Sequence, residues 1–150
     1  MSSLPWWLPL ANRAVKGLNR LGVGLGTIQV LEVRGRTSGR PRTTPVSPLV
    51  VDGHEYVVAG LVDSQWARNA RAAGAGRFLR RRGPREVTIT EVTDPRRRRE
   101  VMRAFPTAVP HGVQFFVRIG VVTATTPEAF AAAADKVAVF EISPRHRLTR

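Results

Sequence analysis

Arginine and hydroxyl side chains are concentrated in one stretch of the chain, residues 35–45, which also contains two glycines and two prolines. Guanidinium groups, hydroxyls and the backbone N–H groups around glycine are the donors that a phosphate or carboxylate needs for several simultaneous hydrogen bonds. The stretch therefore predicts an anion-binding turn. The alternative, which the residues leave open, is a basic hairpin tip that only keeps an edge soluble. The donor side chains belong to Arg36, Thr37, Ser38, Arg40, Arg42, Thr43 and Thr44.

Other kinds of chemistry have little support in the sequence. The chain has no cysteine, which excludes disulfides and thiolate metal sites. Its three histidines, His54, His111 and His146, are too far apart in sequence for a typical metal-ligand spacing, so no metal site is expected. No catalytic side chain is assigned from the residues alone.

Short runs of Val, Ile and Leu flank the basic stretch and predict strands at residues 28–33 and 46–51, with the stretch as the turn between them. Asp52-Gly53 predicts a hairpin to a returning strand at residues 56–61. Pro48 is expected to mark a bulge or an edge of the sheet. Further strands are predicted at residues 78–82, 87–92, 121–124 and 137–142, and helices at residues 65–73 (after an Asp63-Ser64 cap), 96–105 and 126–134.

Hairpins dominate this order, and the alternation of strands and helices that is typical of a parallel sheet is absent. The sequence therefore predicts a mainly β or α+β fold, an antiparallel barrel with flanking helices. A chain of 150 residues is expected to form one domain. We expect the barrel domain at residues 27–143, an amphipathic helix and hinge before it at residues 1–26, and a basic tail after it at residues 144–150.

The formal net charge of +13 predicts an acidic partner. Nucleic acid is disfavoured, because the aromatic residues are not interleaved with arginines as base stacking requires. Residues 5–21 combine two tryptophans with a basic amphipathic helix, which either packs on the domain or makes a peripheral contact with an anionic membrane. No apolar run approaches the roughly 20 residues of a membrane span, and the first residues lack a signal-peptide pattern. We therefore expect a cytoplasmic protein, membrane-peripheral if residues 5–21 contact lipid. These features do not specify the oligomeric state.

Three motifs follow one another along the chain, and the segment that closes the predicted domain adds a fourth. They are Gly35-Arg36-x-Ser38-Gly39-x-Pro41-Arg42-x-Thr44-Pro45, then Tyr56-Val57-Val58-Ala59, then Trp66-x-Arg68-Asn69-x-Arg71-Ala72, and finally Ala134-Asp135-Lys136-Val137-Ala138-Val139-Phe140. Together, over about residues 31–140, they resemble the deazaflavin-dependent nitroreductase family.

The resemblance implies a split β-barrel related to the FMN-binding flavin reductases, and the deazaflavin coenzyme F420 as cofactor, with FMN as the alternative. It implies that Arg36, Ser38, Arg42 and Thr44 hold the phosphate and acidic tail of the cofactor. Residues 59–61 would border the ring, and Trp66 and Asn69 would close the site. The cofactor-binding residues predicted in this way are Arg36, Thr37, Ser38, Gly39, Arg42, Thr44, Pro45, Ala59, Gly60, Leu61, Trp66 and Asn69.

The function implied by the resemblance is hydride transfer between F420 and a small planar acceptor, such as a quinone or a nitroaromatic compound. The absence of a side-chain constellation for independent catalysis agrees with a cofactor that holds the hydride while the protein orients it. The tyrosines that line the substrate side in the nitroreductases are missing here, since Tyr56 is the single tyrosine. The alternative is therefore a non-catalytic carrier of a lipid or another anionic ligand on the same fold.

Overall fold

The computed structural model describes residues 28–145. The predicted amphipathic helix, the glycine hinge and the tail beyond Arg145 lie outside the described residues, so the membrane contact through residues 5–21 stays a prediction. The strands are β1 (Gln29–Arg34), β2 (Pro41–Val46), β3 (Leu49–Val51), β4 (His54–Ala59), β5 (Ala75–Leu79), β6 (Arg85–Glu91) and β7 (Ala138–Pro144). The helices are α1 (Gln65–Ala73), α2 (Pro95–Ala108), α3 (Val113–Arg118) and α4 (Pro127–Ala132), with 3₁₀ turns at Pro110–Gly112 and Ala134–Lys136.

The chain itself closes the sheet into a barrel. The strand order is β2-β1-β5-β6-β7-β4-β3, and every described pairing is antiparallel. The two outermost strands of this order, β2 and β3, are separated in sequence only by Ser47 and Pro48. One bent segment therefore joins both ends of the sheet, with Pro48 at the bend. The predicted antiparallel barrel with flanking helices is confirmed.

The turn predicted for residues 35–45 is shorter than expected, because β2 already begins at Pro41. β2 pairs with β1 along its whole length, with Pro41 opposite Arg34 and Val46 opposite Gln29. β2 stands at the end of the strand order, so one of its sides has no neighbouring strand. Prolines are tolerated on such an edge, where a missing N–H removes no ladder hydrogen bond. Pro41 and Pro45 are thus strand residues.

The strand predicted for residues 121–124 is wrong. The backbone N–H groups of Val121 and Val122 both donate to the carbonyl of Phe116, at 3.1 and 3.4 Å, and therefore cap the end of α3 instead of pairing with another strand. The side chain of Val122 is buried. The last strand, predicted at residues 137–142, is β7, which begins at Ala138 and continues to Pro144.

Two hydrophobic cores lie on opposite faces of the sheet, and β7 contributes to both by strand alternation. Ala138 and Phe140 point into the barrel, while Val139 points to the layer formed by α2, α3 and α4. Helix α1 closes one end of the barrel with Ala67 and Ala70, both fully buried. This plug places α1 directly beside the β1–β2 turn.

A hydrogen bond between Ser47 Oγ and His111 Nε2, 2.8 Å long, ties the barrel-closing bend to the helical layer. Burial lowers the pKa of His111 from its ordinary value of 6.5, because desolvation disfavours the charged ring. Below pH 6.5 the unfolded chain therefore binds a proton more readily than the folded chain does. The contribution of His111 to the free energy of unfolding should be complete above that pH and decrease as the pH falls below it.

Thermal unfolding of the wild type and of His111→Gln between about pH 8 and about pH 5 measures this contribution. Acidification should lower the stability of the variant less than it lowers the stability of the wild type. Identical pH profiles for the two proteins would contradict the assignment.

Candidate functional site

The β1–β2 turn is a closed loop held by its own backbone. The N–H of Gly35 donates to the Arg40 carbonyl at 2.8 Å, and the N–H of Gly39 donates to the Gly35 carbonyl at 3.0 Å. Gly39 has φ of 70°, in the left-handed region that glycine adopts without strain. A Cβ at Gly35 would lie 2.9 Å from Ser38 Oγ and 3.2 Å from the Arg40 carbonyl oxygen. Glycine at position 35 therefore keeps the turn this tight.

Helix α1 begins where the sequence predicts. Ser64 is its N-cap, and the Ser64 hydroxyl accepts a hydrogen bond from the N–H of Ala67 at 3.3 Å. Gly74, with φ of 66°, ends the helix in the left-handed conformation. The first turn of α1 consequently has a fixed start, and its residues Gln65 and Trp66 face the β1–β2 turn.

Asn69 on α1 joins the helix to the turn. Its Oδ1 accepts two hydrogen bonds from Arg36, one from the backbone N–H at 3.1 Å and one from Nη1 at 2.8 Å. Asn69 is only 6% exposed, while Arg36 is exposed, so these bonds are partly buried. The Arg36 guanidinium is therefore oriented before any ligand arrives.

A cleft of about 500 Å³ lies between the turn, β2 and α1. Two arginines line it, and none of its described lining residues is acidic. The Arg42 side chain forms no ion pair or hydrogen bond with the described part of the chain, so its donors are available. A larger groove of about 660 Å³ on the other side of the turn contains Glu32 and Glu86 besides arginines, which makes it a poorer anion site. The cleft is lined by Gly35, Arg36, Thr37, Ser38, Arg42, Thr43, Thr44, Gln65, Trp66 and Asn69.

The structure brings most of the predicted site residues together in this cleft. The basic stretch and α1 are far apart in sequence, and the barrel plug places them side by side. The assignment of these residues to a cofactor stays a prediction. Sequence reasoning missed Gln65, although its place directly after the Ser64 cap was a usable signal. The predicted residues in the cleft are Arg36, Thr37, Ser38, Arg42, Thr44, Trp66 and Asn69.

The other five predicted residues do not line the cleft. Gly39 faces the larger groove, and Pro45 is exposed on β2. Ala59 and Gly60 are buried, and the side chains of Phe115, Phe116 and Ile119 lie within 3.0–3.1 Å of where a Cβ of Gly60 would be. Leu61 is 53% exposed, outside the cleft. The predicted contact of residues 59–61 with a ring would require an approach other than through this cleft.

The single tyrosine of the chain is a core residue. Tyr56 is 1% exposed and packs between the sheet and the helical layer. Burial raises the pKa of its hydroxyl above the ordinary value of 10.0. Tyr56 is therefore not a cleft residue, and its hydroxyl stays protonated near neutral pH.

Asn69 is expected to act mainly by holding Arg36. Asn69→Ala removes the acceptor of two hydrogen bonds worth about 0.5–1.5 kcal/mol each, so anion affinity should fall by at least about 2- to 12-fold. Asn69→Asp keeps the acceptor but adds a negative charge beside Arg36, and should weaken anion binding without unfolding the protein. Titration with inorganic phosphate, monitored by Trp fluorescence, measures both effects. Affinity unchanged in Asn69→Ala would contradict this role.

Within residues 28–145 no helix is both long enough and apolar enough to cross a membrane. In the same range no three His, Asp or Glu side chains are grouped as ligands for a metal ion.

Comparison with known proteins matches most of the chain to one family. Residues 11–114 match the family described as F420H(2)-dependent quinone reductase. No protein with a curated description matches the chain.

Solved structures with a similar fold were also found. The conserved hypothetical protein Rv2991 from Mycobacterium tuberculosis has a TM-score of 0.51 and 16% identity, over 81% of this chain and 74% of that one. A NimC/NimA family protein from Clostridium acetobutylicum has a TM-score of 0.49 and 15% identity, over 87% and 77% of the two chains. A protein described as an F420 reductase has a TM-score of 0.42 and 16% identity, over 80% and 88%. At 16% identity the similarity to Rv2991 shows the fold alone.

Proposed function

We propose that this chain, which belongs to the F420H(2)-dependent quinone reductase family, transfers a hydride from reduced F420 to a flat acceptor such as a quinone. The F420-dependent reductase predicted from the sequence, with F420 as its cofactor, is confirmed by the family match. That match favours F420 over FMN and a reductase over a non-catalytic carrier. The acceptor, the hydride transfer to it and the residues involved are the proposal.

The single observation that carries the proposal is the cleft that joins Arg36, Arg42 and the first turn of α1. F420 has a phosphate and glutamate carboxylates in its tail, and the described lining offers two guanidinium groups and four hydroxyl side chains without a carboxylate. Ser38 Oγ accepts from the Arg40 N–H at 3.2 Å, and its O–H can still donate. The donor set of the cleft therefore fits a polyanion.

The residues of the cleft have distinct roles in this proposal. Arg36, fixed by Asn69, presents its remaining N–H groups in one orientation. Arg42, whose side chain has no partner among residues 28–145, can adjust to a second anionic group. The positive end of the α1 dipole adds attraction for the tail. Trp66 packs one side on Phe140, with ring centroids 5.6 Å apart, and can present its other side to a flat ring. Bound F420 supplies the hydride, and these residues bind and orient it.

The proton that accompanies the hydride comes from solvent or from a cleft hydroxyl in this proposal. The described lining contains no His, Asp or Glu, and the cleft is open to water. A quinone that accepts one hydride and one proton becomes a hydroquinone, so one such proton is needed. An apolar acceptor also has a surface to approach, because Leu61, Val62 and Phe115 remain exposed close to the loop that precedes α1.

Two measurements on the full-length protein test the proposal. Oxidised F420 should bind with a micromolar Kd, seen as a change in its fluorescence, and FMN should bind much more weakly. Reduced F420 should then be oxidised in the presence of a soluble quinone and protein, and not without protein. A folded protein that binds F420 but does not oxidise reduced F420 when any quinone or nitroaromatic compound is added would contradict the reductase proposal.

A further inference from the structure

Arg71 on α1 has no place in the cleft lining, yet its guanidinium makes three contacts behind it. Nε donates to Glu91 Oε1 at 2.9 Å, and Nη2 donates to the Val62 carbonyl oxygen at 2.7 Å. Nη1 lies 4.0 Å from Asp63 Oδ1. One planar group therefore connects α1, the end of β6 and the loop of residues 60–64.

The contact with Glu91 is an anchor on the sheet. Glu91 is the last residue of β6 and lies opposite Phe140 of β7 in the strand register. The Arg71 and Glu91 side chains are 28% and 26% exposed, so water screens their ion pair only partly. The Arg71 guanidinium carbon also lies 5.9 Å from the centre of the Phe140 ring, the same ring on which Trp66 packs.

The contact with Val62 fixes the loop that leads into the first turn of α1. Besides this bond, the loop is held by the Ser64 N–H, which donates to the Leu61 carbonyl at 3.1 Å. The loop is otherwise exposed, with Leu61 and Val62 at 53% and 37%. Among the described residues, the hydrogen bond from Arg71 is the contact that ties the Val62 carbonyl to the sheet.

We propose that Arg71 is a positioning residue of the reductase: it ties the loop of residues 60–64 to Glu91 and so sets where Gln65 and Trp66 stand in the cleft. This inference rests on the proposed function for its consequence in catalysis. Arg71 acts through Trp66 and the loop, not through the anionic tail, which Arg36 and Arg42 hold. Its loss should therefore affect turnover more than cofactor affinity.

The matched control is Arg68→Ala, because Arg68 is an exposed arginine on the same helix. Arg71→Ala should lower kcat by about 10- to 100-fold, since a displacement of about 1 Å can reduce a rate about 100-fold. The Kd for F420 should change by less than about threefold, because the tail contacts are retained. Arg71→Lys keeps the charge but cannot bridge Glu91 and Val62 with one planar fork, so kcat should recover only in part.

Glu91→Gln provides a second route if Arg71→Ala fails to fold, and it should lower kcat in the same direction. The effects of Arg71→Lys and Glu91→Gln should not add in the double variant, because both act on one connection. Hydrogen exchange at residues 61–66 gives a readout that does not depend on F420. It should be faster in both Arg71 variants than in Arg68→Ala.

The outcomes separate this inference from the proposed function. Unchanged exchange at residues 61–66, or a full return of kcat in Arg71→Lys, would overturn the positioning role. Equal losses of F420 affinity and of kcat that follow the decrease in Tm would also overturn it, since they indicate general destabilisation. Hydrogen exchange that is faster in the Arg71 variants would support the positioning role even if the wild type does not oxidise reduced F420. That second result would contradict the proposed function alone.

Discussion

Arg36→Ala is expected to weaken F420 binding by about 10- to 150-fold, because a charge-assisted hydrogen bond is worth about 1.5–3 kcal/mol and each 1.4 kcal/mol is tenfold in affinity. Arg42→Ala should have a smaller effect. Arg36 is already held by Asn69 Oδ1 at 2.8 Å, so less conformational entropy is lost when it binds. Arg36→Lys should recover only part of the affinity, since an ammonium group cannot form a two-pronged contact.

The control for this prediction is Arg80→Ala. Arg80 is exposed in the β5–β6 connection, and its side chain donates to the Gly83 carbonyl at 3.1 Å. Fluorescence titrations of F420 at two salt concentrations should show a small, salt-screened loss for Arg80→Ala and a large loss for Arg36→Ala. Equal losses at Arg36, Arg42 and Arg80 would mean that overall charge holds the ligand, and not the cleft.

Gly76→Ala is expected to have the largest effect on stability. A Cβ at Gly76 in β5 would lie 2.7 Å from the Glu32 carbonyl oxygen of the neighbouring strand, and 3.1 Å and 3.2 Å from side-chain atoms of Ile89 and Val33. A backbone atom in a sheet ladder cannot move away cheaply. The substitution should lower the free energy of unfolding by about 1–3 kcal/mol, which corresponds to a Tm lower by roughly 2–12 °C.

Thr90→Ala is the matched control, because Thr90 is exposed on the adjacent strand β6 and surface substitutions usually change stability by less than about 0.5 kcal/mol. Denaturant unfolding of both variants gives the free energies directly. A Gly76→Ala protein as stable as the wild type would show that β1 and β5 separate more easily than their packing indicates.

The sequence predicted correctly those turns and helix ends that depend only on residues adjacent in the chain. Asp52-Gly53 forms the predicted hairpin with φ of 52° and 79°, and the Ser64 hydroxyl caps α1 within three residues. The sequence predicts a turn where β2 lies, because proline is a typical turn residue. The tolerance of the prolines in β2 depends on the edge position of the strand, which only the complete sheet order defines.

The site was predictable to the extent that its residues form short motifs. The basic stretch and the Trp66–Asn69 segment were both identified, and the barrel plug brings them together. The hydrogen bonds between Asn69 and Arg36, 33 positions apart, could not be derived from spacing. The same holds for Gly60, which is covered by Phe115, Phe116 and Ile119 from a helix more than 50 positions further along the chain.

The most direct test of the central claim compares intact F420 with the deazaflavin chromophore that lacks the phosphate and glutamate tail. If the cleft holds the tail, intact F420 should bind the wild type at least about 10-fold more tightly than the chromophore does, the minimum expected for one charge-assisted contact. This difference should nearly disappear in the Arg36→Ala/Arg42→Ala double variant. Equal affinities of the wild type for the two molecules, or a difference that survives in the double variant, would contradict the assignment of this cleft to the F420 tail.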